Sequence, residues 1–393
     1  MEKTNNKNII KALIAIVVIA GLVICFVIAY NKTKVSNNQT NTTIINSNTS
    51  STDVTTSTNT SSSSSTSKSD SKNLNITAGG SYDLSGQYES IIINTNEEIT
   101  LNLNGVEIIN TSGPAINIEK AKKVTIVLSG TNKITATTTE DLDGAIYSKA
   151  DLVLSGNGNL EIKSNYDGIV SKDTLAVKSG TYTINVNDDG IRGKDSVEIS
   201  DGSFTISAGG DGIKASNDED TSLGYVTITG GTFNITAKSD GVQAITKATI
   251  SGGTFNITSA EGIEATYVKI DDGTINIEAS DDGINASKKS NIGTPTVEIN
   301  GGNITIKMGQ GDTDGIDSNG NIYINGGTIN ITGNSPFDYD GTAQNNGGTI
   351  IVNGTQTNTI TNQMMGGGMM SGGPQGGMMN GEMPNGGGPR GRR

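Results

Sequence analysis

Apolar and polar residues alternate with a period of two through most of the chain between residues 73 and 361. Val226-Thr227-Ile228 precedes the pair Gly230-Gly231, for example, and Phe233-Asn234-Ile235 follows it. Such alternation is typical of half-buried β-strands, and glycine pairs are typical of the tight turns between strands. The pattern therefore predicts an all-β fold of many short strands.

Two short motifs repeat along this region and indicate a regular architecture. The first is an acidic residue followed by glycine, with copies at Asp143-Gly144, Asp167-Gly168, Asp189-Gly190, Asp211-Gly212, Asp240-Gly241, Glu261-Gly262, Asp282-Gly283, Asp314-Gly315 and Asp340-Gly341. The second is a turn followed by a bulky apolar residue, as in Gly230-Gly231-Thr232-Phe233 and Gly252-Gly253-Thr254-Phe255. A unit of about 22 residues with three strands corresponds to one coil of a parallel β-helix. We predict a single-stranded parallel β-helix, because the spacings of leucine-rich and β-roll solenoids are absent.

Stacked coils would align equivalent inward residues in columns that form the core. One predicted column contains Tyr182, Phe204, Phe233, Phe255, Ile275, Ile304 and Ile329. The second contains Ile184, Ile206, Ile235, Ile257, Ile277, Ile306 and Ile331.

The chain divides into four segments at residues 1–34, 35–72, 73–361 and 362–393. In the first, lysines precede the apolar run Ala12–Tyr30, which has the length and charge pattern of a transmembrane anchor with an external C-terminal side. A cleaved signal peptide is the alternative, since Val27-Ile28-Ala29 supplies a small residue for cleavage. Both interpretations export the domain, to the outer face of the membrane or into the medium.

The segments on either side of the repeats have biased compositions. Residues 35–72 are rich in Ser, Thr and Asn, which is typical of a disordered linker. Residues 362–393 form a Gly- and Met-rich segment, interpreted as a disordered tail, with Cu(I) binding by the methionines as the alternative.

Composition narrows the chemistry that the 393 residues can perform. The chain has no His and no Trp, and its one cysteine, Cys25, lies in the apolar run. Imidazole-dependent catalysis, His-ligated zinc and intramolecular disulfides are therefore excluded. Aromatic residues make up 4% of the chain, which suits a fold of many short strands better than a helical one.

Acidic residues are concentrated in the repeats, where 17 basic and 36 acidic residues give a net charge of −19. Stacked coils would place the acidic turn residues about 4.8 Å apart, so the row would repel itself unless cations neutralised it. Many hard oxygen donors without soft ligands indicate Ca²⁺. The alternative is turn chemistry alone, with glycine at positive φ. The predicted metal ligands are Asp143, Asp167, Asp188, Asp189, Asp211, Asp218, Asp240 and Asp282.

Basic residues cluster at one place on the predicted repeat. Two residues past the turn glycine, the chain has in successive repeats Val170, Arg192, Lys214, Gln243, Glu264, Asn285 and Asp317. Arg192, Lys194 and Lys214 are suited to bind the carboxylate of a uronic acid, with Tyr166 as a stacking residue. The alternative is that Arg192 and Lys214 only offset the acidic row.

Residues 188–197 and 210–218 resemble the signature stretches of a bacterial carbohydrate-binding domain family with a pectate-lyase-like β-helix. Residues 101–106 and 143–148 and the Gly/Met-rich tail are also similar to that family. The resemblance implies an exported, calcium-containing β-helix that binds cellulose or an acidic polysaccharide such as polygalacturonate, without an established catalytic activity.

Three functions remain open from the sequence. The first is a surface-displayed module that binds wall polysaccharide, attached to the membrane through the N-terminal segment, with no nucleic-acid partner. The second is a calcium-dependent polysaccharide lyase, in which Lys214 or Arg192 acts as the base; its pKa would then have to be lowered. The third is an adhesive or scaffold stalk without a glycan site.

Overall fold

A computed structural model describes residues 42–45, 72–311 and 313–362. These residues form strands and turns, and no helix occurs among them, so this part of the chain is all-β. No helix long and apolar enough to span a membrane is found within the same ranges. The predicted anchor and the Gly/Met-rich tail after Asn362 lie outside the described residues, as does nearly all of the linker.

The strands are short, as the alternating pattern predicts. In chain order they are β1 (Thr42–Ile45), β2 (Lys72–Ile76), β3 (Gly80–Asn94), β4 (Glu98–Asn110), β5 (Ile116–Lys120), β6 (Lys123–Ser129), β7 (Thr131–Ala136), β8 (Gly144–Ser148), β9 (Leu152–Gly156), β10 (Asn159–Ser164), β11 (Asp167–Ser171), β12 (Thr174–Val177), β13 (Thr181–Val186), β14 (Ile191–Gly193), β15 (Ser196–Ile199), β16 (Ser203–Ala208) and β17 (Ile213–Ala215). They continue with β18 (Tyr225–Ile228), β19 (Thr232–Ala237), β20 (Asp240–Ala244), β21 (Lys247–Ser259), β22 (Glu261–Ala265), β23 (Tyr267–Ala279), β24 (Ile284–Ala286), β25 (Thr296–Ile299), β26 (Asn303–Met308), β27 (Asp314–Ser318), β28 (Asn321–Ile324), β29 (Thr328–Thr332), β30 (Ser335–Tyr339), β31 (Ala343–Asn345), β32 (Thr349–Val352) and β33 (Thr355–Thr357).

The strands form three parallel ladders, which the chain visits in turn. Ladder 1 contains β5, β8, β11, β14, β17, β20, β22, β24, β27 and β30. Ladder 2 contains β6, β9, β12, β15, β18, β25, β28 and β31, and ladder 3 contains β7, β10, β13, β16, β19, β26, β29 and β32. The long strands β21 and β23 bend at a corner and belong to ladders 2 and 3 in succession. One passage through the three ladders is called a coil below.

The register between coils confirms the repeat read from the sequence. Tyr182 of β13 pairs with Phe204 of β16, an offset of 22 residues, and Phe204 pairs with Phe233 of β19. In ladder 1, Arg192 pairs with Lys214 at the same offset. Each coil therefore contributes one strand, or one part of a long bent strand such as β4, β21 or β23, to each ladder, in parallel with the coil before it.

Both predicted core columns are present and buried. The aromatic rings of Tyr182, Phe204, Phe233 and Phe255 stack with centroids 4.5–5.0 Å apart, and each side chain is 0% exposed. Ile275, Ile304 and Ile329 continue this column, and the isoleucine column beside it pairs in the same register. The core is thus a set of straight files of side chains, each stacked on its equivalent in the next coil.

The last strand closes ladder 3. β33 runs antiparallel to β32 after a turn at Asn353-Gly354, and both turn residues have positive φ. It is the one antiparallel strand pair in the described part of the chain.

Candidate functional site on ladder 1

The acid–glycine motifs lie at the start of the ladder 1 strands, and their carboxylates connect one coil to the next. Oδ1 of Asp167 accepts a hydrogen bond from the backbone N–H of Asp189 at 2.9 Å. Asp189 accepts in the same way from Asp211 at 2.8 Å, and Asp211 from Asp240 at 2.9 Å. Each of these carboxylates thus satisfies a buried backbone donor of the following coil, and its second oxygen is left for other partners.

We call this row the acidic column, and it differs in two places from the row predicted by the motif. Asp167 pairs with Gly144, so Asp143 lies one position before the column. Ser335 occupies the column position beside Asp314, and Asp340-Gly341 follows β30 at the next corner. The members of the column are Asp167, Asp189, Asp211, Asp240, Glu261, Asp282 and Asp314.

The glycine of this motif is required by a close approach and not by positive φ, which corrects the turn explanation given above. None of the glycines that follow these acids has positive φ. A Cβ at Gly190 would lie 2.6 Å from the carbonyl oxygen of Gly212 and 2.6 Å from Cγ2 of Ile206. The glycine therefore lets ladder 1 pass directly over the isoleucine column of ladder 3.

A second outward row stands two residues after the glycine, and it is in register as predicted. Its members pair in the order Val170, Arg192, Lys214, Gln243, Glu264, Asn285 and Asp317. Basic side chains occupy the early coils of this row, and acidic and amide side chains occupy the later ones. We call the early coils of the outer face of ladder 1, in which basic side chains offset the acidic column, the compensated part. The later coils, in which acidic and amide side chains replace them, are called the acidic part.

Arg192 and Lys214 neutralise the early part of the acidic column. Nε of Arg192 donates to Oδ2 of Asp167 at 2.8 Å, and its Nη2 contacts both Asp143 and Asp167. Nζ of Lys214 lies 2.7 Å from Oδ2 of Asp211 and 3.2 Å from Oδ2 of Asp189. These ion pairs favour the alternative in which the two cations offset the acidic row.

The ion pairs also change the pKa values of Arg192 and Lys214. Although burial lowers their pKa values, the neighbouring carboxylates outweigh it, so the pKa of Lys214 and that of Arg192 both lie above their ordinary values. A general base at either position would need a lowered pKa. The raised pKa values do not favour Lys214 or Arg192 as the base of a lyase, and that role stays a prediction.

The acidic part centres on three carboxylates in two neighbouring coils. Asp240, Glu261 and Glu264 bring oxygens within 4.8 Å of one another. Burial and the neighbouring charges raise the pKa of Asp240 to about 8, and burial with the charge of Glu264 raises that of Glu261 to about 7. In the described part of the chain Asp240 forms no ion pair, whereas Asp167 pairs with Arg192, so the negative charge of this group is offset only in part.

Amide and lysine side chains complete the surroundings of this group. Nε2 of Gln243 donates to Asp240 at 2.5 Å, and Nδ2 of Asn285 donates to Glu261 at 3.0 Å. Oδ1 of Asn285 is buried and has no hydrogen-bond partner among the described residues. Lys289 forms an ion pair with Glu264.

The acidic oxygens at this place fit a hard cation. Asp240, Glu261 and Glu264 supply carboxylates, and Asn285, which donates to Glu261, has a buried Oδ1 without a hydrogen-bond partner among the described residues. Calcium takes ligands of these two kinds. Burial, and after it repulsion between the carboxylates, raises the pKa values of Asp240 and Glu261, and a bound cation would relieve that repulsion.

The structure brings together part of the predicted metal set. Asp167, Asp188 and Asp189 form a second group of close carboxylates, although Arg192 already contacts two of them. Asp240 belongs to the group described above, whereas Asp218 is exposed in the loop between β17 and β18. Asp282 accepts from the backbone of Asp314 at 3.2 Å, and burial raises its pKa to about 7.

The remaining predicted glycan contacts lie beside the compensated part. Nζ of Lys194 lies 2.9 Å from Oε2 of Glu219 at the surface. Tyr166 is half-buried, one position before Asp167. Their contact with a glycan remains a prediction.

Glu261, Glu264 and Asn285 are functional candidates that the predicted ligand set did not include. Glu261 is the one glutamate of the acid–glycine motif, and Glu264 follows it by three residues. The signal in the sequence is the change from basic to acidic residues along the second outward row. It could have identified Glu264, but only the strand register shows that these residues are neighbours in space.

Comparisons with known proteins identify the family. A family model described as carbohydrate-binding domain-containing protein matches residues 69–332 and 260–371, and the chain therefore belongs to that family. A protein of the same description from Acetivibrio thermocellus is 31% identical over 124 residues, which cover 28% of this chain and 43% of that relative's length. A solved structure described as the polysaccharide lyase-like protein from C. thermocellum, a gadolinium derivative, is 24% identical, with a TM-score of 0.32, over 73% of this chain and 89% of that one.

Proposed function

We propose that this member of the carbohydrate-binding domain-containing family is an exported, cell-surface protein that binds wall polysaccharide. The single observation that carries the proposal is the family match from residue 69 to residue 371. In this proposal the coils form a single-stranded parallel β-helix that presents its ladders as long binding faces. The N-terminal segment either holds it at the membrane or is cleaved after export.

The proposed ligand is an acidic polysaccharide of the polygalacturonate type, bound through calcium. Residues 73–361 carry a net charge of −19, so an acidic glycan approaching the protein directly would be repelled. Asp240, Glu261 and Glu264 would hold the ion. The positive charge of the calcium ion would attract a uronate carboxylate, whereas the carboxylates of the protein alone would repel it.

Binding and not cleavage is the proposed activity. Arg192 and Lys214 are held in ion pairs with carboxylates of the acidic column, and their pKa values are raised. Both side chains therefore keep their protons at neutral pH and cannot take one from a sugar.

Affinity electrophoresis of the full chain through gels that contain polygalacturonate tests the proposal. We expect retardation with excess Ca²⁺ and free migration with excess chelator. Asp240→Asn combined with Glu264→Gln should abolish the calcium-dependent retardation. Asp272→Asn, which changes an exposed carboxylate in the turn between ladders 2 and 3, serves as the matched control and should keep it. Equal migration of the original protein with and without polysaccharide in calcium would refute the proposal.

A further inference from the structure

The outer face of ladder 3 is a regular array of small neutral side chains. It extends without a change of register through seven consecutive coils, from β13 to β29. We call its outward residues the ladder-3 face. Two adjacent rows of this face contain Thr181, Ser203, Thr232, Thr254, Thr274, Asn303 and Thr328, and Thr183, Thr205, Asn234, Asn256, Asn276, Thr305 and Asn330.

The ladder-3 face carries no net charge in a strongly acidic domain. A third row continues it with Asn185, Ser207, Thr236, Thr258, Glu278, Lys307 and Thr332. Its two charged members, Glu278 and Lys307, pair with each other at 2.7 Å, so the face has no net charge. This face therefore neither attracts nor repels a ligand through net charge, which suits an uncharged partner.

Asparagines on this face form a ladder of amides that runs from coil to coil. Nδ2 of Asn256 donates to Oδ1 of Asn234 at 2.9 Å, and Nδ2 of Asn276 donates to Oδ1 of Asn256 at 3.1 Å. Each step covers one inter-strand spacing, about 4.8 Å. Within the row Asn256 both donates and accepts, Asn234 only accepts and Asn276 only donates, so each amide keeps at least one N–H for a partner outside.

A second amide ladder borders the same face at the corner between ladders 2 and 3. Nδ2 of Asn325 donates to Oδ1 of Asn300 at 2.8 Å, and Nδ2 of Asn346 donates to Oδ1 of Asn325 at 2.7 Å. It occupies the coils that follow those of the first amide ladder. Exposed amides with the same repeat are therefore available along most of the length of the face.

Space for projecting groups lies on the other border. A shallow trough with a volume of about 480 Å³ follows the third row, beside Thr236 and Thr258. Its floor is formed by small side chains, among them Ala237 and Ala279, both of which are largely buried. Substituents of a chain that lies along the face would fit there without displacing backbone.

We propose that the ladder-3 face docks an uncharged, β-linked polysaccharide of N-acetylated sugars, whose acetamide groups bond to the amide ladder of Asn234, Asn256 and Asn276. An acetamide carries one N–H donor and one carbonyl acceptor, the same pair that an asparagine side chain presents. Threonine and serine hydroxyls, which both donate and accept, bond to the sugar hydroxyls around it.

The proposed affinity for the polysaccharide comes from many weak hydrogen bonds repeated along the coils. One hydrogen bond contributes little net free energy, but a polymer lying along seven coils forms many such contacts at once. This inference rests on the proposed carbohydrate-binding function, but it concerns a different face and requires no metal.

Sedimentation with insoluble chitin and insoluble cellulose, both in excess chelator, tests the inference on the full chain. We expect the protein to bind chitin and to bind cellulose more weakly. The triple variant Asn234→Thr, Asn256→Thr and Asn276→Thr should weaken chitin binding by about tenfold or more, because buried acetamides lose their partners. Threonine already occupies the same row in β13, β16 and β26, so the variant is expected to fold.

Controls separate this inference from the proposed function. Asn75→Thr changes an exposed asparagine of β2, outside the ladder-3 face, and should leave chitin binding unchanged. The triple variant should still be retarded by polygalacturonate in calcium. Absence of chitin binding in the original protein, equal binding of chitin and cellulose, or full binding by the triple variant would each overturn the inference. Loss of polygalacturonate retardation alone would contradict the calcium proposal and leave this one standing.

Discussion

Arg192 donates from Nε to Oδ2 of Asp167 at 2.8 Å, across 25 residues of sequence and one coil of structure. The equivalent position is Gln243 two coils later and Glu264 in the coil after that. Arg192 and Lys214 therefore neutralise the early coils of the acidic column, whereas among the described residues Asp240, Glu261 and Asp282 form no ion pair and only the neighbouring Glu264 pairs with a lysine, Lys289. This change of sign along one row is the physical basis for placing the calcium proposal in the later coils.

Removal of the Arg192 guanidinium should lower the free energy of unfolding, because buried carboxylates of the acidic column lose the cation that neutralises them. Arg192→Ala leaves the buried Asp167 without its cation, and we expect a loss of about 3–5 kcal/mol in unfolding free energy above about pH 8, where Asp167 is ionised. The loss should shrink in acid, where Asp167, with a pKa of about 7, becomes protonated. Denaturant titration at two pH values measures both effects.

Lys194→Ala is the matched control for this change, because its ion pair with Glu219 is at the surface and should contribute little to stability. Equal losses for Arg192→Ala and Lys194→Ala would show that the column carries no buried charge.

The stacked aromatic column should dominate the stability of the middle coils. Phe233→Ala removes a side chain that contacts the rings of Phe204 and Phe255, and it should cost about 3–5 kcal/mol. Thr232→Ala, its exposed neighbour, should change stability by less than about 0.5 kcal/mol. Thermal unfolding of the two variants tests the inward and outward assignments, and a similar shift in both would reject them.

Glycine after the acid should be irreplaceable for steric reasons. Gly190→Ala places a methyl group 2.6 Å from the carbonyl oxygen of Gly212, and we expect a loss of about 1–3 kcal/mol. At Gly113 the nearest atom to a new Cβ, apart from its chain neighbours, is 3.8 Å away, so Gly113→Ala should be tolerated. Chemical denaturation of both variants provides the comparison, and tolerance at Gly190 would disprove the close approach.

Stability without calcium should fall as the pH rises. The pKa of Asp240 is raised from 3.8 to about 8, and that of Asp317 to about 7, with burial as the main cause for both. The folded protein therefore holds these protons more tightly than the unfolded chain, and it loses that advantage between about pH 4 and pH 8. The melting temperature in chelator should be higher at pH 5 than at pH 8.

Calcium should act in the opposite direction, because it binds the ionised carboxylates. The increase in melting temperature on addition of Ca²⁺ should be larger at pH 8 than at pH 5. A melting temperature that does not respond to Ca²⁺ at pH 8 would count against the ion.

Local patterning was sufficient to predict the core. The alternation around Phe233 and Ile235 and the 22-residue offset from Phe233 to Phe255 specify which side chains face inward and which of them stack, and the structure has them so. A period-two pattern gives this information because a one-residue slip would turn every apolar side chain outward.

Partners within the outward rows could not be predicted in the same way. Arg192 was recognised as a cation beside acids, but its distances to Asp143 and Asp167 depend on how far a long side chain reaches across coils. The role of the acid–glycine glycine was also misassigned, because its neighbour Ile206 belongs to another ladder. The sequence alone does not state how close two ladders pass.

Calorimetric titration of the full chain with an oligogalacturonide, in excess Ca²⁺ and again in excess chelator, tests the central claim most directly. The account predicts saturable binding in calcium that disappears in chelator and in the Asp240→Asn, Glu264→Gln variant. Absence of binding in calcium, or binding of the same affinity in chelator, would contradict it.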